Sequence, residues 1–222
     1  MKSSEATGSA PSERSALRTT VGIGVLAGVV YLLTGQLSLH GTDWRYLVLW
    51  TEQPGYTHPQ HPGYLALAKL AAWLGGAVGA TTVQALAALS ALGGGIAVAL
   101  VHRLAWEWRR DAKLARVAAA LALWSPGWWH HATVIEMHAP FVAVATAAAI
   151  AGLRWWRGGY GAAAATGAWT GLATWVHATG HFWSAALAVG VWWLGGRSRR
   201  RVGEVAIAAA VHFAVWGGLF WA

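Results

Sequence analysis

The sequence predicts an all-α integral membrane protein, and its composition carries that prediction. Hydrophobic residues make up 56% of the 222 residues and charged residues only 11%, whereas soluble domains carry about 25% charged residues. The apolar residues also occur in long runs, which lipid rather than a folded core must solvate. The chain has 28 glycines and no cysteine. Small residues let helices approach closely in lipid, and the lack of cysteine excludes disulfides and thiolate metal sites.

The chain divides into a short tail and a transmembrane domain. Residues 1–15 are mostly polar, so we predict a disordered cytoplasmic tail there and a transmembrane domain over residues 16–222. The first apolar run, 16–39, is interpreted as a retained helix because no small-x-small cleavage site follows it. The later apolar runs that we predict to cross the membrane are 81–104, 117–129, 139–153, 161–176, 182–194 and 205–222.

The segment between the first two of these runs is predicted to be an external loop over residues 40–80. Its first part, 40–61, is polar and contains three of the ten histidines. Its second part, 62–78, is apolar but contains Lys69, and it is shorter than the roughly 20 apolar residues that a span needs.

The distribution of basic residues decides whether the second part crosses the membrane. If it lies on the surface, 14 of the 16 basic residues fall on the side of the N-terminus, and only Arg45 and Lys69 lie outside. The positive-inside rule therefore predicts about seven transmembrane helices plus one external membrane-surface helix. The expected location is the plasma membrane, multi-pass, with a cytoplasmic N-terminus. Because the basic charge is an orientation signal, we expect the lipid bilayer as a partner and no nucleic acid.

The same topology places nine of the ten histidines on the external side, counting those at helix ends. Three acids also fall there and need an explanation: Asp43, Glu52 and Glu136. The other five acids lie among cytoplasmic bases, where we expect them to be solvated partners; they are Glu5, Glu13, Glu107, Asp111 and Glu204.

Each external acid has a functional and an ordinary interpretation. Asp43 and Glu52 are suited to deprotonate a hydroxyl or to hold a cation beside a phosphate; alternatively, they are loop acids paired with Arg45 or water. Glu136 follows a segment in which Pro126 and Gly127 end or kink a span. An acid so near hydrocarbon indicates a function, or it faces the N-terminal end of the next span.

Several histidines are also candidate metal ligands, since zinc and iron sites use imidazole. They are His58, His61, His130, His131, His138, His177 and His181. No H-E-x-x-H motif is present, and the adjacent His130 and His131 would point apart on a helix. We therefore expect hydrogen bonds to lipid phosphate or water, and no metal ligation by imidazole.

Two stretches of the chain match known motifs. Asp43 lies 18 residues before His61-Pro62-Gly63-Tyr64-Leu65, and a second stretch has the spacing Ser-Pro-x-x-Trp-x-x-Ala-x-x-x-Glu over residues 125–136. Together they resemble integral-membrane glycosyltransferases of the GT-C superfamily, in its protein O-mannosyltransferase-like branch. The chain departs from that pattern at Tyr46, where a second acid is usual, at Leu65, and at Met137-His138. It also ends at Ala222 inside a predicted span, so we expect a fragment or a minimal member.

The resemblance implies a GT-C-like module that moves a sugar, mannose or a similar hexose, from a polyprenyl-phosphate donor to a hydroxyl acceptor. Asp43 would be the catalytic base, and Glu136 would shape the acceptor or donor site. The substrate-binding residues would be Glu52, His58, His61, Tyr64, Arg45, His131 and His138. Arg45, Lys69 or a divalent cation would meet the charge of the departing phosphate.

The alternative is a non-enzymatic protein: a transporter, a lipid-carrier binding subunit or a structural partner. Transporters place their sites near the midplane of the bilayer. Here the unexplained acids fall in external loops, which favours an enzyme.

Overall fold

The protein is all-helical in the part that the structure describes. The computed structural model describes residues 12–36, 42–196 and 198–221, except for the side chains of residues 42 and 43. These ranges contain ten helices and no strand, which confirms the all-α class: α1 Glu13–Leu33, α2 Thr42–Glu52, α3 Pro62–Gly76, α4 Thr82–Arg109, α5 Ala112–Trp124, α6 Pro126–Thr133, α7 His138–Arg157, α8 Tyr160–Val176, α9 Gly180–Leu194 and α10 Arg199–Trp221.

Four of these helices are long and apolar enough to cross a membrane. They are α1, α4, α7 and α10, with 21, 28, 20 and 23 residues. At 1.5 Å per residue, about 20 residues cover the hydrocarbon thickness of a bilayer. Apolar side chains on α1 and α10, such as Leu26 and Phe213, are exposed, as expected for helices that face lipid. Four apolar helices are compatible with a membrane protein, and the count of about seven spans stays a prediction.

The predicted external loop is more helical than its polar composition suggests. Besides α3, which covers the predicted surface helix, the stretch 40–61 contains α2. Three residues of α2 are buried, namely Leu47, Val48 and Thr51. Their spacing puts them on one helical face, and they pack with α3 and α4. His40 lies outside the described residues.

Two opposite ends of the bundle carry different side chains. We define the arginine end by the start of α1 and the connections α4–α5, α7–α8 and α9–α10. We define the histidine end by the segment 53–61 and the connections α6–α7 and α8–α9. α1 joins the two ends: at its start Glu13 pairs with Arg110 at 2.9 Å, and just after its last residue the Gln36 N–H donates to the Thr133 carbonyl at 2.7 Å.

α4 is the central helix, and glycines let its neighbours approach. A Cβ atom on Gly95 would lie 2.7 Å from the carbonyl oxygen of Gly24 in α1, and one on Gly93 would lie 2.7 Å from the backbone nitrogen of Pro140 in α7. Such distances leave no room for a side chain. α8 and α10 touch in the same way at Gly171, where a Cβ would lie 2.6 Å from the His212 carbonyl oxygen.

Glu13, Glu107 and Glu204 pair with arginines at the arginine end, but Glu107 and Glu204 are buried rather than solvated. Glu107 accepts from Arg103 Nε at 2.6 Å and from Arg154 Nη2 at 2.5 Å, although it is 3% exposed. Glu204, which is fully buried, accepts from Arg201 Nη1 at 2.7 Å and from the Trp155 indole at 3.0 Å. The expectation of solvated partners was wrong for these two acids, because they join neighbouring helices.

Replacing Gly95 by alanine should separate α1 from α4. Overpacking a close helix contact costs about 1–3 kcal/mol, so the thermal unfolding midpoint of Gly95→Ala in detergent should fall. The matched control is Gly22→Ala, since a Cβ on Gly22 of α1 meets nothing within 4 Å. Equal midpoints for the two variants would contradict the packing described here.

Replacing Glu107 by alanine should destabilise the bundle more than the same change at an exposed acid. Glu107→Ala leaves Arg103 and Arg154 without their shared carboxylate, at a cost of about 2–3 kcal/mol, since Arg154 can regain water. Glu13→Ala is the control, because Glu13 is 55% exposed and pairs with Arg103 at the surface. Thermal unfolding of both variants in detergent measures the difference, and a larger loss for Glu13→Ala would refute it.

Candidate functional site

Five histidines from three separate segments lie ring against ring in a continuous series at the histidine end. The ring centroids of His58 and His61 are 4.8 Å apart, and those of His61 and His177 are 4.5 Å apart. The series continues from His177 to His138 at 5.3 Å and from His138 to His131 at 4.8 Å. The sequence predicted that most histidines lie on one side of the membrane. In the structure, these five rings are also in contact with their neighbours in the series.

Backbone hydrogen bonds and close packing hold the segments together. The Ala178 N–H donates to the Gln60 carbonyl at 3.0 Å, which joins the α8–α9 connection to the segment before α3. At the start of α3, Gly63 lies against Trp175 so closely that a side chain would not fit. These contacts place His61 beside His177.

The α6–α7 turn is anchored by one buried hydroxyl on α4. Ser90 Oγ accepts from the Glu136 N–H at 3.1 Å and donates to the Glu136 carbonyl at 3.2 Å. Ser90 is fully buried, so both polar groups of the Glu136 backbone are satisfied away from water. This turn reverses the chain between His131 on α6 and His138 on α7, and brings the two rings together.

Glu136 is largely buried at this turn, and its side chain is 14% exposed. Its Oε2 accepts from the Met137 N–H at 3.1 Å and lies 2.7 Å from His138 Nδ1. Burial acts to raise the pKa of Glu136, but the hydrogen bond from His138 and the charges of His138 and His131 outweigh it and hold the pKa below its usual value. Glu136 lies just before α7 and belongs to a polar cluster, and a function for it stays a prediction.

Three imidazoles near Glu136, those of His61, His131 and His177, favour their neutral form. Burial, with the charges of His177, His58 and His138, lowers the pKa of His61 to about 4. Burial and the charge of His138 also lower the pKa values of His131 and His177. A neutral imidazole has one nitrogen with a free lone pair, so these rings can accept a hydrogen bond or ligate a metal.

Three residues at this site could hold a metal ion together. One ligand atom each from His131, Glu136 and His138 lies within 4.8 Å of the others. The expectation against metal ligation rested on His130 and His131 pointing apart, but this group uses only one of that pair. The second imidazole is that of His138, which lies on the other side of the α6–α7 turn. Residue spacing along a single helix cannot predict that the two rings meet across this turn.

Some predicted site residues lie elsewhere in the structure. Arg45 and Glu52 are exposed on α2, and neither forms an ion pair with a residue that the structure describes. Lys69 Nζ donates to the carbonyls of Gln53 and Tyr56 at 3.1 and 2.8 Å, so it ties α3 to the preceding segment. The backbone of Asp43 lies in the first turn of α2, and its side chain lies outside the description.

Tyr64, in contrast, is completely buried near the histidines. Its hydroxyl forms no hydrogen bond with the described residues. Burial, and then the negative charge of Glu136, raise the pKa of Tyr64 above its usual value. Tyr64 is thus held as a neutral phenol that feels the charge of Glu136.

Sequence reasoning considered His177 only among possible metal ligands and did not place it in the substrate site, and it did not single out Ser90. His177 lies in the middle of the histidine series, although nothing in its spacing connects it to His61 or His138. Ser90 is a hydroxyl residue in the middle of the apolar helix α4. A polar residue within an apolar helix needs a hydrogen-bond partner when it is buried, and this is the pattern by which the sequence could have indicated Ser90.

One histidine on α9 and one on α10 form a separate pair. His181 Nδ1 and His212 Nε2 are 3.1 Å apart, and His212 Nδ1 lies 3.0 Å from Thr170 Oγ1. His212 is 2% exposed within α10. It therefore does not belong to the external loops, although the topology counted it on that side.

No protein-family model, no curated protein and no solved structure matches this chain.

Replacing Ser90 by alanine should loosen the α6–α7 turn. Ser90→Ala leaves the buried N–H and carbonyl of Glu136 without a partner, which costs about 1–3 kcal/mol. A lower thermal unfolding midpoint in detergent is the expected result. Ser184→Ala is the control, because Ser184 is only partly buried and its hydroxyl bonds to no residue that the structure describes. An unchanged midpoint for Ser90→Ala would show that the hydroxyl does not anchor the turn.

Proposed function

We propose that this protein is an integral-membrane glycosyltransferase that uses the histidine end to move a sugar from a polyprenyl-phosphate donor to a hydroxyl acceptor. One observation carries the proposal. The two motif segments that resemble GT-C enzymes are separated by about 60 residues of sequence, yet Tyr64 of the first and Ile135, which precedes the matched Glu136 of the second, are buried in a single packed cluster. The motif segments of an active site must converge in this way, whereas chance matches need not.

A GT-C-like module would need about seven membrane crossings, which we assign to α1, α4, α5, α7, α8, α9 and α10, with α2 and α3 between the first two in the sequence. Four of them, α1, α4, α7 and α10, are long and apolar enough to cross a membrane. Several are short for a span; α5 has 13 residues and α9 has 15. α5 is continued by α6 after a break at Ser125 and Pro126, which together lengthen that traverse.

The two ends suggest how the protein lies in the membrane. Most basic residues belong to the arginine end, so the positive-inside rule turns that end to the cytoplasm. The histidine end then meets the outer leaflet, where a polyprenyl-phosphate sugar would present its head group. Neutral imidazoles are suited to hydrogen-bond phosphate and sugar oxygens there, whereas the hydroxyl of Tyr64 is buried and would need a rearrangement to reach them.

In this mechanism Asp43 takes the proton from the acceptor hydroxyl. The acceptor oxygen then bonds to the anomeric carbon of the sugar, and the bond from that carbon to the phosphate oxygen breaks. The polyprenyl phosphate leaves with the electron pair, and a single displacement inverts the anomeric centre. A positioned carboxylate base of this kind contributes about 10²–10⁴-fold to a rate.

A lipid-carrier binding subunit without enzymatic activity is the second candidate. It is favoured by an apolar groove of about 490 Å³ between α1 and α4, lined by residues such as Val25, Gly28, Val29, Leu92 and Ile96. A groove of this kind accepts an isoprenoid chain, but it does so equally well in an enzyme and in a carrier protein.

Replacing Asp43 by asparagine should abolish sugar transfer. The full chain in liposomes, given polyprenyl-phosphate mannose and a hydroxyl-bearing peptide, should transfer mannose, and Asp43→Asn should lower the rate by about 10²–10⁴-fold because the base is lost. Glu52→Gln on the same helix is the matched control and should transfer at no less than about a tenth of the native rate, since only the base makes the larger contribution.

The other outcomes are distinct. Transfer that survives in Asp43→Asn would move the base to Glu136 or Glu52. Binding of the lipid donor without any transfer would replace the enzyme by the carrier-binding protein. A chain that neither transfers sugar nor binds the donor would overturn both candidates.

A further inference from the structure

We propose that His131, Glu136 and His138 form a binding site for a divalent transition metal ion of the zinc class. This site goes beyond the proposed sugar transfer and stands whether or not the chain has that activity. It also departs from the expectation, drawn from the sequence, that imidazole ligates no metal here.

The geometry of the three side chains is close to that of a zinc site. Their ligand atoms lie within 4.8 Å of one another. In a tetrahedral site with bonds of about 2.0–2.2 Å, ligand atoms are about 3.4 Å apart. Movement of about an ångström, which rotation of the rings can provide, is enough to close the group around an ion.

His131 gives independent support, because its Nδ1 is buried and forms no hydrogen bond with any described residue. Buried polar atoms almost always have a partner, and an unmade bond costs about 1–3 kcal/mol. An ion among His131, Glu136 and His138 would supply that partner. It would also bind Glu136 Oε2, which now lies 2.7 Å from His138 Nδ1.

The proposed ligand set contains the three residues whose ligand atoms lie within reach of one another, and two neighbouring histidines use their Nδ1 atoms elsewhere. The Nδ1 atom of His177 accepts from the Thr179 N–H at 3.1 Å. The Nδ1 atom of His58 accepts from the Gln60 N–H at 3.3 Å. A neutral ring that accepts at Nδ1 carries its proton on Nε2 and has no lone pair left for a metal. His177 is therefore a hydrogen-bond donor beside the site.

The type of donor atom selects the class of metal. Two imidazoles and one carboxylate suit zinc and its transition-metal neighbours, whereas Mg²⁺ and Ca²⁺ prefer sites made of oxygen atoms. Three protein ligands also leave the fourth position of a tetrahedral ion open, as in catalytic rather than structural zinc sites. Water or an anionic oxygen would fill that position.

The second sphere holds the ligands in place before an ion arrives. Ser90 bonds both backbone polar groups of Glu136, and the Met137 N–H bonds its carboxylate. Outer hydrogen bonds of this kind orient ligands, and their loss lowers metal affinity by about 10–100-fold. Ser90 is thus expected to support metal binding although it does not touch the ion.

Metal binding is tested on the full chain in detergent, purified without a histidine tag and stripped by a chelator. Equilibrium dialysis against Zn²⁺ should give one ion per chain. His131→Asn and His138→Asn should each weaken binding by more than about 100-fold, beyond what loss of an outer hydrogen bond causes. Ser90→Ala should weaken it by about 10–100-fold.

His130→Asn and His181→Asn are the matched controls and should leave the affinity unchanged. His130 is adjacent to a ligand in the sequence, and His181 belongs to the separate pair with His212. Circular dichroism establishes that each variant keeps its helices. If a ligand variant does not fold, Co²⁺ bound to the native chain decides, since a tetrahedral site gives intense visible absorption. Less than one ion per chain, no such absorption, or an equal loss in the control variants would overturn the proposal.

Discussion

The close approach of α1 and α7 to the glycines of α4 is the constraint on which the rest of the structure depends. Gly93 leaves room only for the backbone of α7, and Gly95 only for the backbone of α1. Because the start of α7 is held there, Ser90, about one turn earlier on α4, lies opposite Glu136 and bonds its backbone. In lipid, where apolar contact alone drives little association, such small-residue contacts set the distance between helices.

Buried and half-buried polar residues are stabilised differently at the two ends of the bundle. At the arginine end, buried carboxylates are neutralised by guanidinium groups: Glu107 by Arg154 of the neighbouring helix α7, and Glu204 by Arg201 of its own helix. At the histidine end, Glu136 is paired with His138, and burial lowers the pKa values of His61, His131 and His177. Neutral imidazoles retain a free lone pair and a donor, which makes this the end suited to bind a ligand.

The same polar end bears on both proposals, through different atoms. Sugar transfer would place the base on α2 and needs positive charge near the departing phosphate. Lys69 is held by two backbone carbonyls, and Arg45 is exposed on α2. A metal ion at His131, Glu136 and His138 would add positive charge to this end, but its binding is defined by those three ligands and needs no sugar donor.

The sequence by itself determined the class of the protein and the separation of its charge. Composition predicted an all-helical protein with apolar helices, the short run after Pro62 predicted α3, and Pro126 predicted the break between α5 and α6, because these features depend on local chemistry. Only the tertiary structure decided that His131 meets His138 and Glu136, that His177 joins them, and that Glu107 and Glu204 are buried. Those relations depend on a chain reversal and on helices packed at glycines, which no periodicity along a single helix records.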